Sequence, residues 1–401
     1  MYASARSNGS PVGTSHSPRA RSSSSSKPNA RSVGRSSRSI GPLRVGVPLL
    51  RRESATLRAV SPGGSGVGPL VHWWAWMNFT WFASAYDNDD VLYRVVTLVQ
   101  IAGVLVLAAG VSRAFEDQDW VAVVIGYVIM RVAMAAQWLR AGRSAAPPES
   151  TMARTYSAGV LLCQIGWLGL LFLPEDSRGW LFLVMVVLEL SVPAFAERKH
   201  PSSWHPHHIS ERYGLLTIIV LGETVAAATV AVKSGIEEND ALGEVLPIAV
   251  GGLLIVFAAW WIYFVVPVHS YLRSSRQSFL WGYGHYLVFS SAAAIGAGLE
   301  VAVEQAVGKA HISTLAASAA VTLPTAVFLL TVWALHARHF KVGLAEQLVL
   351  PTAALLVLGC TFLGGQAVLV AGIVLALTVA AGVSLTARRT ERERRTTAPA
   401  A

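Results

Sequence analysis

Charge is scarce in this 401-residue chain: Asp, Glu, Lys and Arg together make up 14% of it, where a soluble domain carries about 25%. With 53% hydrophobic residues and a mean hydropathy of +0.49, a soluble globular protein is effectively excluded. Cysteine is nearly absent too. Cys163 and Cys360 both lie inside apolar runs with no CxxC or comparable ligand spacing, so they read as packing residues, not as a disulfide or metal ligands. The chain also lacks a phosphate-cradling glycine loop, a zinc-protease His-Glu pair and a nucleophile elbow. A secretory signal with an apolar core is missing as well.

The net charge of +9 is local. Residues 1–68 hold 11 of the 32 Lys and Arg but a single acid, Glu53, leaving 21 basic against 22 acidic residues in the remainder. The high pI is therefore no argument for nucleic-acid binding by the folded part, although a basic tail can touch anionic lipid. Residues 1–68 are rich in Ser, Arg, Gly and Pro and have no periodic apolar pattern, so they read as a disordered tail.

From residue 69 onward eleven apolar segments follow, at about 69–85, 91–111, 119–138, 154–173, 178–196, 211–231, 242–267, 279–303, 317–337, 346–363 and 366–386. Several exceed the ~18 residues that suggest a span. The expected fold is all-α: a polytopic integral membrane helix bundle over 69–387, between the N-terminal tail and a basic cytoplasmic tail over 388–401. The first segment is marginal, because Asn78 interrupts it and Trp73, Trp74, Trp76 and Trp81 suggest an interfacial belt. The last two segments join tightly around Gly364-Gly365.

Lys and Arg in short loops set orientation. The connections 140–154, 197–212, 273–276, 338–341 and 388–395 are basic, whereas 174–177, 232–241 and 304–316 are not. From 139 onward these alternate cleanly with the C-terminus inside. Run backward, the same alternation puts the Arg-rich N-terminus outside, and one more helix before residue 69 would repair the parity.

Three long phrases carry a resemblance: Trp204-His-Pro-His-His-Ile-Ser-Glu-Arg-Tyr-Gly-Leu-Leu-Thr-Ile-Ile-Val-Leu-Gly-Glu223, Trp73-Trp-Ala-Trp-Met-Asn-Phe-Thr-Trp81 and Arg131-Val-Ala-Met-Ala-Ala-Gln-Trp-Leu-Arg140. With Tyr283-Gly-His-Tyr and Gly296-Ala-Gly-Leu-Glu300, they resemble the bacterial low temperature requirement protein A family over about 69–386. The resemblance implies a multi-pass protein of the bacterial cytoplasmic (inner) membrane, and supports architecture more than activity. Members usually open with a helix carrying a Glu-Leu-Phe-Phe-Asp-Leu-Val-Phe-like motif, which 1–68 does not match. The expectation is that 1–68 is a mistranslated or frameshifted start.

Three ionisable residues fall near mid-bilayer: Arg131, Glu189 and Glu223. Glu223 lies 12 residues beyond Glu211, about 18 Å along a helix at ~1.5 Å per residue. Ionising a carboxylate there costs at least ~2.5 kcal/mol, so such residues usually face a bundle interior, a partner or a water path. One buried layer is expected, with Arg131 compensating a carboxylate; a static interhelical clamp and a proton carrier both fit it. Pro193, four residues after Glu189, frees backbone carbonyls nearby and favours a cavity. His285 sits in the cytosolic third of its segment as an inner relay, Glu300 near the outer end as a mouth, and Gly296 and Gly298 allow close helix approach.

His205, His207 and His208, with Glu211 and Arg212, crowd the cytosolic entrance of the 211–231 segment. Metal binding needs three or four converging ligands, and a helix cap at His208 or Ser210 with Glu211 on the helix dipole is the plainer reading. The expected activity is that of a secondary transporter or proton- or ion-coupled permease, not an enzyme, with no cofactor and no metal. Its partners would be the lipid bilayer and a small solute or ion. The alternatives are a membrane enzyme acting on lipid at the His-rich loop, or a scaffold or sensor for growth in the cold.

Overall fold

A computed structural model describes residues 67–86, 90–239, 241–341 and 343–397, all within one compact unit of the chain spanning 48–401. Except for residues 67 and 68, the expected N-terminal tail lies outside the described residues. The described residues form eleven long helices and no strand. They are α1 (Val67–Tyr86), α2 (Val91–Glu116), α3 (Val121–Ser144), α4 (Glu149–Leu170), α5 (Glu175–Ala196) and α6 (Pro206–Asn239), followed by α7 (Leu242–Phe264), α8 (Ser275–Ala306), α9 (Thr314–Leu335), α10 (Leu344–Cys360) and α11 (Ala367–Thr397).

Among the described residues eight stretches are long and apolar enough to cross a bilayer, and the last of them, Leu344–Glu391, contains α10 and most of α11. Large apolar side chains such as Val91, Leu98, Leu105, Ile165 and Leu355 stand 63–77% exposed, as a lipid-facing surface requires. This is a polytopic membrane protein.

Helices α2 to α5 pack each on the next, and α6 to α11 form a second group in which α8 contacts α6, α7 and α9 and α7 contacts α11. Side chains assemble two apolar cores, one from α1–α5 with the beginnings of α6 and α8, the other from the rest of α6 and α8 with α7 and α9–α11. Lipid gives no hydrophobic drive between helices, so close backbone approach takes its place. A Cβ on Gly126 would lie 2.4 Å from the Leu107 nitrogen, and one on Gly298 would lie 2.1 Å from the Ala320 carbonyl oxygen. The close approach expected at Gly296 and Gly298 is present, against α6 and α9 respectively.

Helix α1 corrects the expectation of an interfacial tryptophan belt. Trp73 and Trp74 are buried, and Trp76 and Trp81 are half-buried. The helix lies between neighbours α3, α6 and α8. Its rings meet Tyr286 (Trp73, 5.4 Å between centroids), Tyr283 (Trp74, 5.7 Å) and Tyr213 (Trp76, 4.9 Å). Asn78 is accommodated because its amide donates to the Trp74 carbonyl one turn back, at 2.9 Å.

The ends sort by charge. Arg140 pairs with Asp90, Tyr86 donates to Glu149 at 2.7 Å, His207 meets His269, Tyr271 stacks on His339, and Arg389 pairs with Glu346. The basic connections therefore gather at one end. At the opposite end Trp120 lies near Phe182, and Ser318 donates to the Gly364 carbonyl in the 3-10 stretch Thr361–Gln366 that joins α10 to α11. Gly364 there has φ +60°, a left-handed conformation that lets two helices reverse direction tightly. Helix α11 runs through the expected boundary at 387, so the basic residues 388–397 continue it as helix.

Candidate functional site

Helices α3, α4 and α5 bring the clearest constellation together. Arg131 on α3 and Glu189 on α5 form an ion pair with side chains only 1% and 2% exposed. Glu189 is held from a second side: Trp167 Nε1 on α4 donates to its other carboxylate oxygen at 2.8 Å. The Tyr127 hydroxyl is near the same carboxylate, and the Arg131 guanidinium lies 5.8 Å from the Tyr127 ring centre. Arg131 Nε finds no hydrogen-bond partner among the described residues. The desolvated pair thus remains only partly satisfied.

A cleft opens beside this pair, lined by Glu189 with Trp74, Trp120, Tyr127, Trp167 and Phe182 among others. Deeper along α5, Pro193 has no N–H for the carbonyl one turn back. The Tyr283 hydroxyl of α8 donates to the Leu190 carbonyl at 3.1 Å, tying the interrupted turn to α1's aromatic neighbours. Past Pro193, Glu197 lines a second small cavity with Asn78, Tyr156 and Tyr283. Its carboxylate accepts from Tyr156 Oη at 2.8 Å and from Ser202 Oγ at 2.9 Å. Burial pushes the Glu197 carboxyl above its usual range, with the Tyr156 and Ser202 bonds acting in the opposite direction.

The expected single layer of Arg131, Glu189 and Glu223 is only two-thirds present. Glu223 is exposed on α6. The buried stripe of that helix runs Ile209, Tyr213, Thr217, Leu221, Thr224, and Glu223 sits one residue, about 100° of rotation, off it. Spacing along the chain says nothing of rotation about the helix axis, and rotation turns Glu223 outward.

His285 is fully buried in a different cluster. Its Nδ1 faces the Trp281 carbonyl at 2.8 Å and its Nε2 the Tyr263 hydroxyl at 3.0 Å. That pattern suits a neutral ring with the proton on Nδ1. The ring of His336, at the end of α9, lies 5.3 Å away. Glu300 is half-buried near the far end of α8.

At the basic end, α6 begins at Pro206, a residue suited to a first helical turn, so neither His208 nor Ser210 is the cap. Ser210 instead donates to the His207 carbonyl at 2.9 Å. His205, His207, His208 and Glu211 are exposed and Arg212 is half-buried. His207 and Glu211 line one open groove with His269 and His336. Among the described residues no three His, Cys, Asp or Glu side chains converge to hold a metal ion.

Trp167, Tyr127 and His336 escaped the reading of the sequence. Tyr156, Cys163, Gln164 and Trp167 do recur at helical spacing on α4, a stripe of polar and aromatic side chains that marks an interior face of a membrane helix.

Residues 64–384 match the family described as bacterial low temperature requirement A protein (LtrA). The chain belongs to that family. It is also 24% identical over 200 residues to a Rhizobium meliloti (strain 1021) protein described as uncharacterized. That alignment covers 48% of each chain, so this chain spans about half the length of the curated relative it matches. No solved structure matches. The low temperature requirement A match covers α1 through most of α11 and includes Arg131, Glu189, Glu197, Glu223, His285 and Glu300.

Proposed function

We propose that this low temperature requirement A protein is a secondary transporter or a proton- or ion-coupled permease of the bacterial inner membrane, not an enzyme, with Glu189 as its coupling carboxylate. The observation that carries this reading is the Arg131–Glu189 pair, fully desolvated, whose carboxylate nonetheless lines a cleft. A guanidinium keeps its charge, whereas a carboxylate can take a proton or exchange its partner for a cation. Either event releases Arg131. The released charge must find a new partner, which gives the bundle two alternative arrangements. Pro193 and the Tyr283–Leu190 bond lie on the line from Glu189 toward Glu197 and the basic end. By the positive-inside rule that end faces the cytoplasm.

The test is proton and cation flux in proteoliposomes made with the native chain, Glu189→Gln and Glu223→Gln. Flux lost with Glu189→Gln and kept with Glu223→Gln assigns coupling to the pair. The reverse pattern moves it to α6, and a native chain that is folded but passes no ion across a broad panel overturns transport. A lipid-directed enzyme is the second reading, supported by the groove that His207, Glu211, His269 and His336 share. It predicts bound metal that disappears on substitution of His205 and His207.

A further inference from the structure

The proposed transport reading leaves the substrate class open, and the cleft beside Glu189 speaks to it. Four of its rings form a continuous chain. Trp120 lies 6.5 Å from Phe182, Phe182 lies 5.4 Å from Trp167 at 72°, and Trp167 lies 5.4 Å from Tyr127 at 70°. Trp74 on α1 adds a fifth ring to the lining. Among the described side chains lining this space, Glu189 alone belongs to the Asp, Glu, Lys, Arg and His class. Arg131 is not in the wall; it stands behind the carboxylate, so the cleft faces the negative end of the pair's dipole.

Ring faces and a desolvated carboxylate attract the same kind of ligand. The quadrupole of an aromatic ring presents negative potential at its face, and cages of such rings select cations with apolar bodies. An anion would meet a carboxylate and no basic wall residue. A strongly hydrated inorganic cation would find too few oxygen ligands to replace its water. The space is about 610 Å3 with its open mouth included, but only about 40 Å3 of it admits the centre of a water molecule. The ligand must therefore be small, or must spread the rim. Trp120 and Phe182 form that rim, at the end of the bundle away from the basic loops, and Glu189 lies seven residues, about 10 Å, beyond Phe182 along α5.

We infer that this cleft binds a small organic ammonium ion, its alkyl groups against Trp120, Phe182 and Trp167 and its charge toward Glu189. The inference rests on the transport reading for its purpose but not for its test, because binding is measured without flux.

The experiment titrates the full chain in lipid nanodiscs with choline, tetramethylammonium and dimethylbutanol, the neutral carbon isostere of choline, following heat and tryptophan fluorescence. Choline is expected to bind at least roughly tenfold more tightly than its isostere, the margin a desolvated cation–π site supports. Trp120→Leu and Phe182→Leu should each weaken it several-fold. They sit at the rim, so they leave the Arg131–Glu189 pair in place should Glu189→Gln fail to fold. Glu189→Gln, where folded, should narrow that margin several-fold, the rings alone retaining part of it. Equal binding by the native chain, no effect of the rim variants, or no ammonium binding at all overturns the inference. Ammonium binding without flux in proteoliposomes keeps the site and defeats transport. Proton flux lost with Glu189→Gln but no ammonium binding keeps transport and defeats the site.

Discussion

Arg131 and Glu189 compensate each other in a place where neither could stay charged alone, and that mutual dependence can be measured. Removing one partner of a buried pair leaves an uncompensated charge and costs about 3–5 kcal/mol, while replacing both with apolar residues of similar size is often neutral. Arg131→Met and Glu189→Leu should each lower thermal stability in detergent strongly. The double variant should recover most of the loss, and additive losses would show that the two side chains do not act as a pair. Glu197 gives a second test at the same scale. Its carboxyl is raised above the ordinary value of 4.5, so the folded chain holds that proton more tightly than the unfolded one. The resulting stability is fully present below the unfolded value and is lost as pH rises through the folded value. Glu197→Gln, which stays neutral, should flatten this part of the decline in a series of melting temperatures upward from about pH 4.5. Parallel curves for the two proteins would show that Glu197 does not titrate there.

Among helices, the contacts that decide position are made by residues with almost no side chain. Gly126 lets α3 lie against the backbone of α2, and the 2.4 Å that a Cβ would leave to Leu107 N cannot be relieved by turning a rotamer. Gly126→Ala must push the two helices apart, at an overpacking cost of about 1–3 kcal/mol. Gly222→Ala, on the outer face of α6 with nothing within 4 Å, should leave the melting temperature unchanged or slightly higher. Equal effects at the two positions would contradict the crossing. Such contacts also explain what the sequence could and could not show. Apolar runs revealed the eleven helices of the described residues, because a long apolar segment shows itself without reference to its neighbours. That Arg131 would compensate a carboxylate was legible from position along the spans, but not which one, since Glu189 and Glu223 fitted equally. Rotation about the helix axis is set by packing, and it separated Glu223 from that pair. Trp73 and Trp74 were misplaced on the same ground: tryptophan suits an interface and an aromatic interior alike, and only the Tyr283 and Tyr286 rings of a distant helix settle which.

The described residues form two cores, and two buried free cysteines report on them separately. Cys163 lies in the core built on α1–α5, and Cys360 in the core built on α7–α11. Helices α6 and α8 pass through both cores, while α1 presses Trp73 and Trp74 against Tyr283 and Tyr286 at the start of α8 and Phe82 against Trp138 on α3. Truncating a buried tryptophan costs about 3–5 kcal/mol. That loss would fall on the first core and on its grip on α8, leaving the Cys360 side of the bundle intact. In the native chain, both thiols should become reactive to a maleimide over one temperature range. In Trp73→Ala/Trp74→Ala, Cys163 should react at a distinctly lower temperature while Cys360 keeps its native profile, with Cys163→Ser and Cys360→Ser versions assigning each signal. Simultaneous exposure of both thiols in the variant would mean that α6 and α8 alone bind the two cores into one cooperative unit. Separate exposure would make α1 the element that transmits a change at the Arg131–Glu189 cleft to the helices beyond it.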